Sequence, residues 1–516
     1  MSAQFVRSGR TALLAVCLAG IHALSGCGSG KGGSLSDSAV LGGSSGDVGY
    51  GGGAGTIAKA TGGAGGKTDV ATGSGGVAGS TADGGRSGTG GVGDASAGGG
   101  RLGTGGVAGR AGTGGTAGLS GGGGANLDAA VDASEQEAGD DDHYGPWAGG
   151  SGYYGAFSHG PPSNPSFFPI LVWLQDPSMA QQYAAIGINL YIGLWQGPTE
   201  DQFSTLKTAG MPVGCDQNDV GLAHINDSGI VLWTQQDEPD NAQSDSSGGY
   251  GPCIAATQVQ SIYKTFKAKD ATRPVLLNLG QGVANIPYIG WGSECSKTHP
   301  ADYPDYIAGS DIISFDIYPA NSTYAEIKGN LYYVAKGVDN LIQWSGGSKP
   351  VWNWIECTGI DDVNAKPTPD QVKAEVWMSI VHGSMGIGYF VHQFTPFDEH
   401  ALLDDATMKA GVAAINKQIK DLAPVLNTPP ITNGGTVTSS DANVPVDMRL
   451  KRLDGATYIF AVAMRGSPTH ATFSGLTKIP VNAVVEVLGE GRTIALSGNS
   501  FQDDFAAWGV HLYKIR

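Results

Sequence analysis

Two glutamates follow apolar stretches of this sequence at the point where each stretch turns polar. The run Ile230–Trp233 leads to the motif Asp-Glu-Pro at 237–239, and the run 350–355 (Pro-Val-Trp-Asn-Trp-Ile) ends in Glu356. A buried strand that delivers a carboxylate at its C-terminal end is typical of the active face of a parallel barrel. Two carboxyl groups at such a face can serve as a general acid and as a nucleophile or base. We therefore predict that Glu238 and Glu356 form a catalytic pair.

Strand and helix patterns alternate along the chain from residue 166 onward. The predicted strands are Phe168–Gln175, Ile188–Trp195, Pro212–Asp216, Ile230–Gln236, Pro274–Leu279, Asp311–Tyr318, Val351–Glu356 and Gly386–His392. The predicted helices are Ser178–Ile186, Glu200–Ala209, Ala256–Lys269, Leu331–Trp344, Pro369–His382 and Met408–Leu422, with short ones within Asp219–Asp227 and Ala301–Ala308.

Eight strands with crossover connections fit a (β/α)8 TIM barrel, which we assign to residues 143–427. A doubly wound open sheet is the alternative, but it usually has a glycine-rich phosphate-binding turn after its first strand. Here the first strand ends in Leu-Gln-Asp-Pro at 174–177. In the barrel, Glu238 follows strand four and Glu356 ends strand seven, so both are expected at the C-terminal mouth.

Residues 428–516 carry short alternating runs separated by turn residues. This pattern predicts a small antiparallel β-sandwich. Its expected role is to pack against the barrel, and carbohydrate binding is the alternative role.

The N-terminus has the pattern of a targeting signal. Arg7 and Arg10 precede an apolar run, Thr11–Leu24, that is too short for a permanent membrane span. The run ends in Leu-Ser-Gly-Cys, which resembles a bacterial lipoprotein signal. That resemblance implies removal of residues 1–26, a lipid on Cys27 and, because Gly28 follows, the outer membrane or cell surface of a Gram-negative bacterium. An ordinary secretory signal is the alternative.

Residues 27–142 are dominated by Gly, Ser, Ala and Thr and hold loose repeats. Such a composition cannot bury a core, so we predict a disordered tether. A glycine-rich folded repeat is the alternative.

The overall charge excludes one class of partner. The 516 residues carry a formal net charge of −17 and a calculated pI of about 4.9. A nucleic-acid-binding protein needs a basic footprint, so no nucleic acid is expected. We expect a monomer whose only membrane contact is the N-terminal lipid.

Four cysteines remain after the signal and the lipidation site are set aside. They can pair in three ways outside the cytoplasm. Cys253 and Cys295 fall in long predicted loops after neighbouring strands and are the preferred disulfide. None of the cysteines has metal-site spacing, and we expect neither a metal nor another cofactor.

Residues 165–425 resemble the clan of retaining glycoside hydrolases with (β/α)8 barrels that includes cellulases, mannanases and β-galactosidases. The resemblance rests on the Asp-Glu-Pro motif after strand four and on the stretch 350–356. It implies that Glu238 is the acid/base and Glu356 the nucleophile. The chain departs from the clan at Asp237, where the usual residue is Asn, which hydrogen-bonds the sugar 2-hydroxyl. Asp237 can also accept that bond.

Other residues at strand ends are candidates for sugar binding, and packing in the core is the alternative for each. Tyr318 is near the place where the clan has a tyrosine that hydrogen-bonds the nucleophile. Asp316 lies two residues before Tyr318, on the same face of the predicted strand, and is a candidate for a third acidic residue at the rim. The further candidates for substrate binding are Trp173, Trp195, Trp354, His392 and Gln393.

The sequence therefore predicts an extracytoplasmic retaining glycoside hydrolase that cleaves a neutral polysaccharide or oligosaccharide by double displacement. A non-catalytic glycan-binding lipoprotein on a hydrolase-like barrel is the first alternative, and Asp237 is the feature that favours it. A structural surface protein is the second alternative, and it predicts no open cleft at the strand ends.

Overall fold

A computed structural model describes residues 150–244, 249–288, 295 and 299–516. Eight parallel strands close into a barrel, with each strand paired to the next and the eighth paired to the first. This confirms the predicted (β/α)8 barrel. The predicted signal at 1–26, Cys27 and the predicted tether at 27–142 lie outside the described residues.

All eight predicted barrel strands are present. They are β1 (Ile170–Trp173), β2 (Leu190–Ile192), β3 (Val213–Cys215), β4 (Ile230–Thr234), β5 (Val275–Leu279), β6 (Ile312–Asp316), β7 (Val351–Glu356) and β8 (Ile387–Phe390). Seven of them are shorter than predicted, because residues at one or both ends of the predicted runs do not pair in the sheet.

Nine α-helices lie in the described part of the barrel. They are α1 (Ala180–Ala185), α2 (Glu200–Ala209), α3 (Asp219–Ala223), α4 (Ala256–Lys269), α5 (Tyr303–Ile307), α6 (Tyr333–Ser345), α7 (Pro369–His382), α8 (Ala401–Asp404) and α9 (Ala406–Leu426). Capping boxes start two of them, with Thr199 capping α2 and Thr368 capping α7. No helix among the described residues is both long and apolar enough to cross a membrane.

The side chains of β7 alternate between the barrel interior and the helix layer. Trp352 and Trp354 belong to the interior cluster together with Leu171, Leu232 and Leu276 from other strands. Asn353 points the other way, and its Nδ2 donates to Ser379 Oγ on α7 at 2.8 Å. This alternation follows from the period of two along a strand.

A buried arginine ties β4 to β5 at the end of the barrel opposite the mouth. Arg273 has no exposed surface. Its guanidinium donates to Asp270 at 2.8 Å, to the carbonyl of Ile230 at 2.7 Å and to the carbonyl of Asp227 at 2.8 Å. Each of these acceptors is held by a charged donor, which makes the bonds strong.

Replacing Arg273 with Met is expected to cost about 3–5 kcal/mol, because the substitution leaves the buried carboxylate of Asp270 without its charged partner and with only the neutral donors of Trp233 and Thr272. Chemical denaturation would measure the loss. Lys207→Met is the matched control: its salt bridge with Asp227 has a lysine side chain that is 75% exposed, and its removal should cost less than about 1 kcal/mol. Equal losses in the two variants would contradict this account of β4.

The C-terminal residues form two antiparallel sheets, as predicted. A short hairpin of β9 (Gln393–Phe394) and β10 (Phe397–Asp398) precedes them in the chain. Their own strands are β11 (Thr436–Ser439), β12 (Val446–Leu453), β13 (Ala456–Ala463), β14 (Thr469–Ser474), β15 (Val484–Val487), β16 (Arg492–Ala495), β17 (Phe501–Phe505) and β18 (Val510–Ile515). The sheet orders are β11-β14-β17 and β12-β13-β18-β15-β16. Phe473 from one sheet contacts Tyr513 from the other, with ring centroids 5.3 Å apart. Their inner faces therefore share one core.

Helix α7 carries the contact between the barrel and these sheets. Trp377 packs on Phe460 of β13, with ring centroids 5.4 Å apart. Next to it, His382 contacts Asp339 of α6 at 2.9 Å and Asp447 of β12 at 3.1 Å. Burial lowers the pKa of His382, but the hydrogen bonds to the two carboxylates raise it by more, to about 9.

This histidine should make the stability of the protein depend on pH. Its folded-state pKa is raised above the usual value of about 6.5, so its stabilising effect is complete below about pH 6.5 and is lost as the pH rises towards 9. Solvent screens the two exposed partners, which limits the effect to about 1–2 kcal/mol. Unfolding curves across this range should show the slope in the wild type and not in His382→Gln. An unchanged slope in the variant would rule out His382 as its source.

Candidate active site

Glu238 lies at the mouth of the barrel in an unusual backbone conformation. It follows β4 and has a φ of +43°, in the left-handed region that non-glycine residues seldom adopt. Its amide donates to the carbonyl of Asn278 at 3.1 Å, and its carboxylate accepts from Asn241 Nδ2 at 2.8 Å. The side chain is half-buried. Its neighbours thus hold the backbone in a strained form, which is a recurrent feature of functional sites.

Strained residues recur in the loops at this end of the barrel. Leu174 after β1, Gln196 after β2 and Ile360 after β7 also have positive φ values, of 46°, 53° and 33°. Ile360 is branched at Cβ and is the most costly case. Four such residues, Glu238 included, follow strands at the face where barrel enzymes carry their chemistry.

Asp237 is fixed by side chains from three strands. Its carboxylate accepts from Asn278 Nδ2 of β5 at 2.9 Å. Asn278 Oδ1 in turn accepts from Ser314 Oγ of β6 at 2.8 Å, and Trp354 Nε1 of β7 donates to Ser314 at 3.2 Å. Burial and the charge of Glu238 raise the pKa of Asp237 to about 8, so this carboxyl is mostly protonated at neutral pH.

Asp316, at the end of β6, completes a cluster of three carboxyls in the mouth. Its side chain is hydrogen-bonded to the carboxyl of Glu238 and accepts from the hydroxyl of Tyr318. Burial, followed by the charge of Glu238, raises the pKa of Asp316 well above its usual range. Two carboxyls in contact cannot both be ionised at low cost, and its raised pKa makes Asp316 the carboxyl that holds the proton.

Glu356 has no exposed surface, and N–H donors engage both its oxygens. Oε1 accepts from the amide of Ala320 at 2.5 Å, and Oε2 accepts from the amide of Asn321 at 2.8 Å and from the Asn321 side chain. A second buried carboxyl, Glu375 of α7, is hydrogen-bonded to it. Burial raises the pKa of Glu356 to about 7 although these donors lower it, and burial raises the pKa of Glu375 well above its usual range. Glu375 is therefore the protonated partner that donates to Glu356.

The structure thus brings Glu238 together with Asp237 and Asp316, and Glu356 together with Asn321 and Glu375. Sequence reasoning placed Asp316 at the rim without giving it a role, and it missed Asn321 and Glu375. Of these two residues, only Glu375 could have been noticed from its position, because it is a carboxylate in the helical stretch 374–381, whose residues are all buried. A buried carboxylate needs a partner.

The three tryptophans predicted to bind the substrate differ in how deeply they are buried. Trp354 is 2% exposed and fills the barrel interior, where its ring meets that of Trp173 with centroids 5.2 Å apart. Trp173 is half-buried above it. Trp195 is also half-buried, and its carbonyl accepts from Gln202 of α2 at 2.9 Å. Trp173 and Trp195 retain surface for a ligand, whereas Trp354 has almost none.

Of the two residues predicted at the end of β8, one is buried and the other keeps exposed surface. His392 is 2% exposed, and Gln175 contacts its Nε2 at 3.2 Å. Burial lowers the pKa of His392 to about 4, so it is neutral. Gln393 is half-buried in a short hairpin, and its Nε2 donates to the carbonyl of Pro396 at 3.2 Å. Tyr318 is half-buried next to Asp316.

The predicted disulfide between Cys253 and Cys295 is confirmed, with Cα atoms 4.9 Å apart. It joins the loop after β4 to the loop after β5 beside Asp240. The carboxylate of Asp240 accepts from the amide of Gly280 at 2.9 Å and from Tyr303 at 3.0 Å. Cys215 and Cys357 are buried free thiols. The loop that carries Glu238 is thus fastened to its neighbour at Asp240 and at Cys253.

No group of three or more acidic, histidine or cysteine side chains suited to a metal ion occurs in the part of the chain that the structure describes. The three carboxyls of the mouth are held by contacts with one another and with Asn278, Asn241 and Tyr318. What they can do chemically is transfer protons and attack an electrophilic carbon.

No protein-family model and no curated protein match this sequence. Among solved structures, the chain is similar to an α-amylase from Geobacillus thermoleovorans complexed with acarbose, at 11% identity and a TM-score of 0.41 over 68% of this chain and 98% of that chain. It is also similar to a GH30 endoxylanase from Clostridium papyrosolvens C71, at 14% identity and a TM-score of 0.40 over 67% and 96%. A third match is a putative α-galactosidase from Bacteroides fragilis, at 11% identity and a TM-score of 0.41 over 68% and 79%. At TM-scores of 0.40 and 0.41 these similarities assign no activity to this chain.

Proposed function

We propose that the barrel is a glycoside hydrolase that cleaves a neutral polysaccharide or oligosaccharide by double displacement. The observation that carries the proposal is the contact between the carboxyls of Glu238 and Asp316 at the C-terminal mouth. Glycoside hydrolysis requires two carboxyls at one bond, one that carries a proton and one that is ionised. The contacting pair meets this need, because the proton that Asp316 holds can pass to Glu238 when the substrate binds and leave Asp316 ionised.

The short separation supports a retaining rather than an inverting mechanism. An inverting enzyme keeps its carboxyls about 6.5–9.5 Å apart to admit a water molecule, whereas a retaining enzyme keeps them about 5–5.5 Å apart. Carboxyls in contact are closer than either, and a sugar bound between them would part them by a small rotation of the side chains. The smaller of the two rearrangements leads to the retaining geometry.

Glu238 is the acid/base of this proposal. Its half-buried side chain has surface for a substrate, and Asn241 orients its carboxylate. It would protonate the leaving oxygen in the first step and remove a proton from water in the second. The nucleophile has two candidates, the predicted Glu356 and Asp316. Asp316 contacts Glu238 and keeps exposed surface, whereas Glu356 would need the Ala320–Asn321 segment to move before it could reach a sugar.

Asp237 is suited to a sugar hydroxyl. Its pKa of about 8 leaves it largely protonated at neutral pH, so it can donate a hydrogen bond to a hydroxyl as well as accept one. An asparagine at this place would combine the same two capacities in one side chain. The substitution at Asp237 is therefore compatible with hydrolysis.

The proposal includes an extracytoplasmic position with a lipid on Cys27, supported by the signal-like stretch 1–27. Metabolic labelling with a radioactive fatty acid tests it. Label is expected in the wild type and should be absent from Cys27→Ser, and a wild type without label would overturn the lipid anchor.

Hydrolysis can be tested with the full-length chain on a panel of neutral polysaccharides. We expect new reducing ends, and proton NMR of the first product should show the anomeric configuration of the substrate. An inverted product would contradict double displacement. A chain that binds one polysaccharide in affinity electrophoresis but releases no reducing ends from any would favour the alternative, a non-catalytic glycan-binding protein.

A further inference from the structure

A row of aromatic rings leads from the carboxyl cluster to the protein surface. Tyr318, hydrogen-bonded to Asp316, lies with its ring 5.3 Å from that of Phe390 at the end of β8. The next steps are 6.2 Å from Phe390 to Phe394 and 6.5 Å from Phe394 to Phe397, between ring centroids. Tyr318, Phe390 and Phe394 are half-buried, and Phe397 is 60% exposed. Exposure of a phenylalanine to this extent is unusual for a side chain with a packing role.

The outer half of the row is built on a short hairpin of two strands, β9 (Gln393–Phe394) and β10 (Phe397–Asp398). The hairpin is anchored to the loop after β7, because the amide of Phe394 donates to the carbonyl of Ile360 at 2.6 Å. This anchor holds the two phenylalanine rings at a fixed place beside the mouth.

A buried glutamine after β1 anchors the base of the same hairpin. Gln175 is 1% exposed, and its Nε2 contacts His392 at 3.2 Å and donates to the carbonyl of Glu399 at 2.9 Å. Its Oε1 lies 2.9 Å from His400 Nδ1. Residues on both sides of the hairpin are thus bound to one side chain. The buried His392 therefore positions the hairpin and does not itself meet a ligand.

We propose that Tyr318, Phe390, Phe394 and Phe397 form an aromatic platform on which the sugar units of the substrate beyond the cleavage point are bound. The proposal rests on the proposed glycoside hydrolase function and adds the place and direction of the glycan chain. A pyranose ring has an apolar C–H face that packs against the face of an aromatic ring and removes apolar area from water. The row begins at the carboxyl that contacts Glu238, so a chain lying on it would lead into the reacting site.

The platform selects for neutral chains of several sugar units. Asp398 and Glu399 directly follow Phe397, and the chain carries a net charge of −17, so an acidic polysaccharide would be repelled at the outer end of the platform. A disaccharide that fills the carboxyl site would not reach Phe397. A longer chain would, and its additional binding energy should appear as faster turnover of long substrates.

The test uses full-length Phe397→Ala and Phe394→Ala on neutral oligosaccharides that range from disaccharide to hexasaccharide. We expect kcat/KM for the longest substrate to fall on the order of tenfold, the size of one lost aromatic contact, and that for the shortest cleaved substrate to stay unchanged. Val481→Ala is the matched control, since Val481 is 90% exposed and lies far along the chain, between β14 and β15. It should leave both values as they are.

A uniform fall for all lengths, or no change for the longest substrate, would overturn the platform while leaving hydrolysis intact. If no oligosaccharide is cleaved, the proposed hydrolase function fails, and the platform is then judged by binding. In that case affinity electrophoresis with the same polysaccharide panel should show retardation of the wild type and weaker retardation of Phe397→Ala. Equal mobility of the two proteins on every polysaccharide would overturn the platform as well.

Discussion

Glu238→Gln is expected to lower kcat/KM for an unactivated glycan on the order of 10²–10⁴-fold, the usual contribution of a general acid or base. The substitution keeps the size of the side chain and an oxygen that can accept from Asn241 Nδ2. It removes the carboxyl that would carry the proton to the leaving oxygen. The loss should fall on kcat rather than on KM, because the proton is transferred only in the transition state.

The nature of the leaving group separates this role from a structural one. A nitrophenolate leaves without protonation, so the first step on an aryl glycoside should be nearly unaffected in Glu238→Gln. Added azide should then speed turnover by replacing water in the second step and should give a glycosyl azide of retained configuration. Gln243→Ala is the control: Gln243 Nε2 donates to the carbonyl of Glu238 at 3.0 Å, so this substitution alters the same loop and keeps the carboxyl. If Glu238→Gln were no slower than Gln243→Ala on an unactivated glycan, Glu238 would not be the acid.

The barrel was predictable from the sequence because its strands are buried on both faces. The stretches 230–233 and 351–355 are therefore largely apolar in the sequence, and they begin at the residues where β4 and β7 begin in the structure. Helices α2, α4 and α7 begin and end at the predicted residues. Thr199 caps the start of α2, and Gly210 ends it in the left-handed conformation. Thr368 and Gly383 do the same for α7.

The arrangement of the carboxyls was only partly predictable. Barrel geometry brings strand ends to one face, so the strand order alone places Glu238 and Asp316 at the same mouth. Which acid meets which depends on the paths of the loops: the segment after β6 turns its amides at 320 and 321 towards Glu356, and no local pattern encodes that turn. The burial of His392 depends on Gln175, which is 217 residues away along the chain. Long-range contacts of this kind decide whether a polar residue at a strand end faces a ligand or the core.

Asp316→Asn and Glu356→Gln are expected to differ sharply. We expect Asp316→Asn to lose hydrolysis on the order of 10²-fold or more, because it removes the carboxyl that contacts Glu238 in the mouth. Glu356→Gln should keep most of its activity and lose stability instead. Its amide nitrogen would face the N–H groups of Asn321 or Ala320, and an unsatisfied buried group costs about 1–3 kcal/mol.

Rate and stability must therefore be measured on both variants, with Asn321→Ala as the control for the pocket around Glu356. Asn321→Ala removes a donor to that carboxylate and leaves every carboxyl in place. The small Asp316→Ala and Glu356→Ala variants then identify the nucleophile directly. In a double displacement, azide in the space left by the nucleophile attacks the sugar once, so it restores turnover and gives a glycosyl azide of inverted configuration. Rescue of Asp316→Ala is the expected result. Rescue of Glu356→Ala alone would show that the loop at 320–321 opens on binding, and that the pair formed by the ends of strands four and seven is the reacting one.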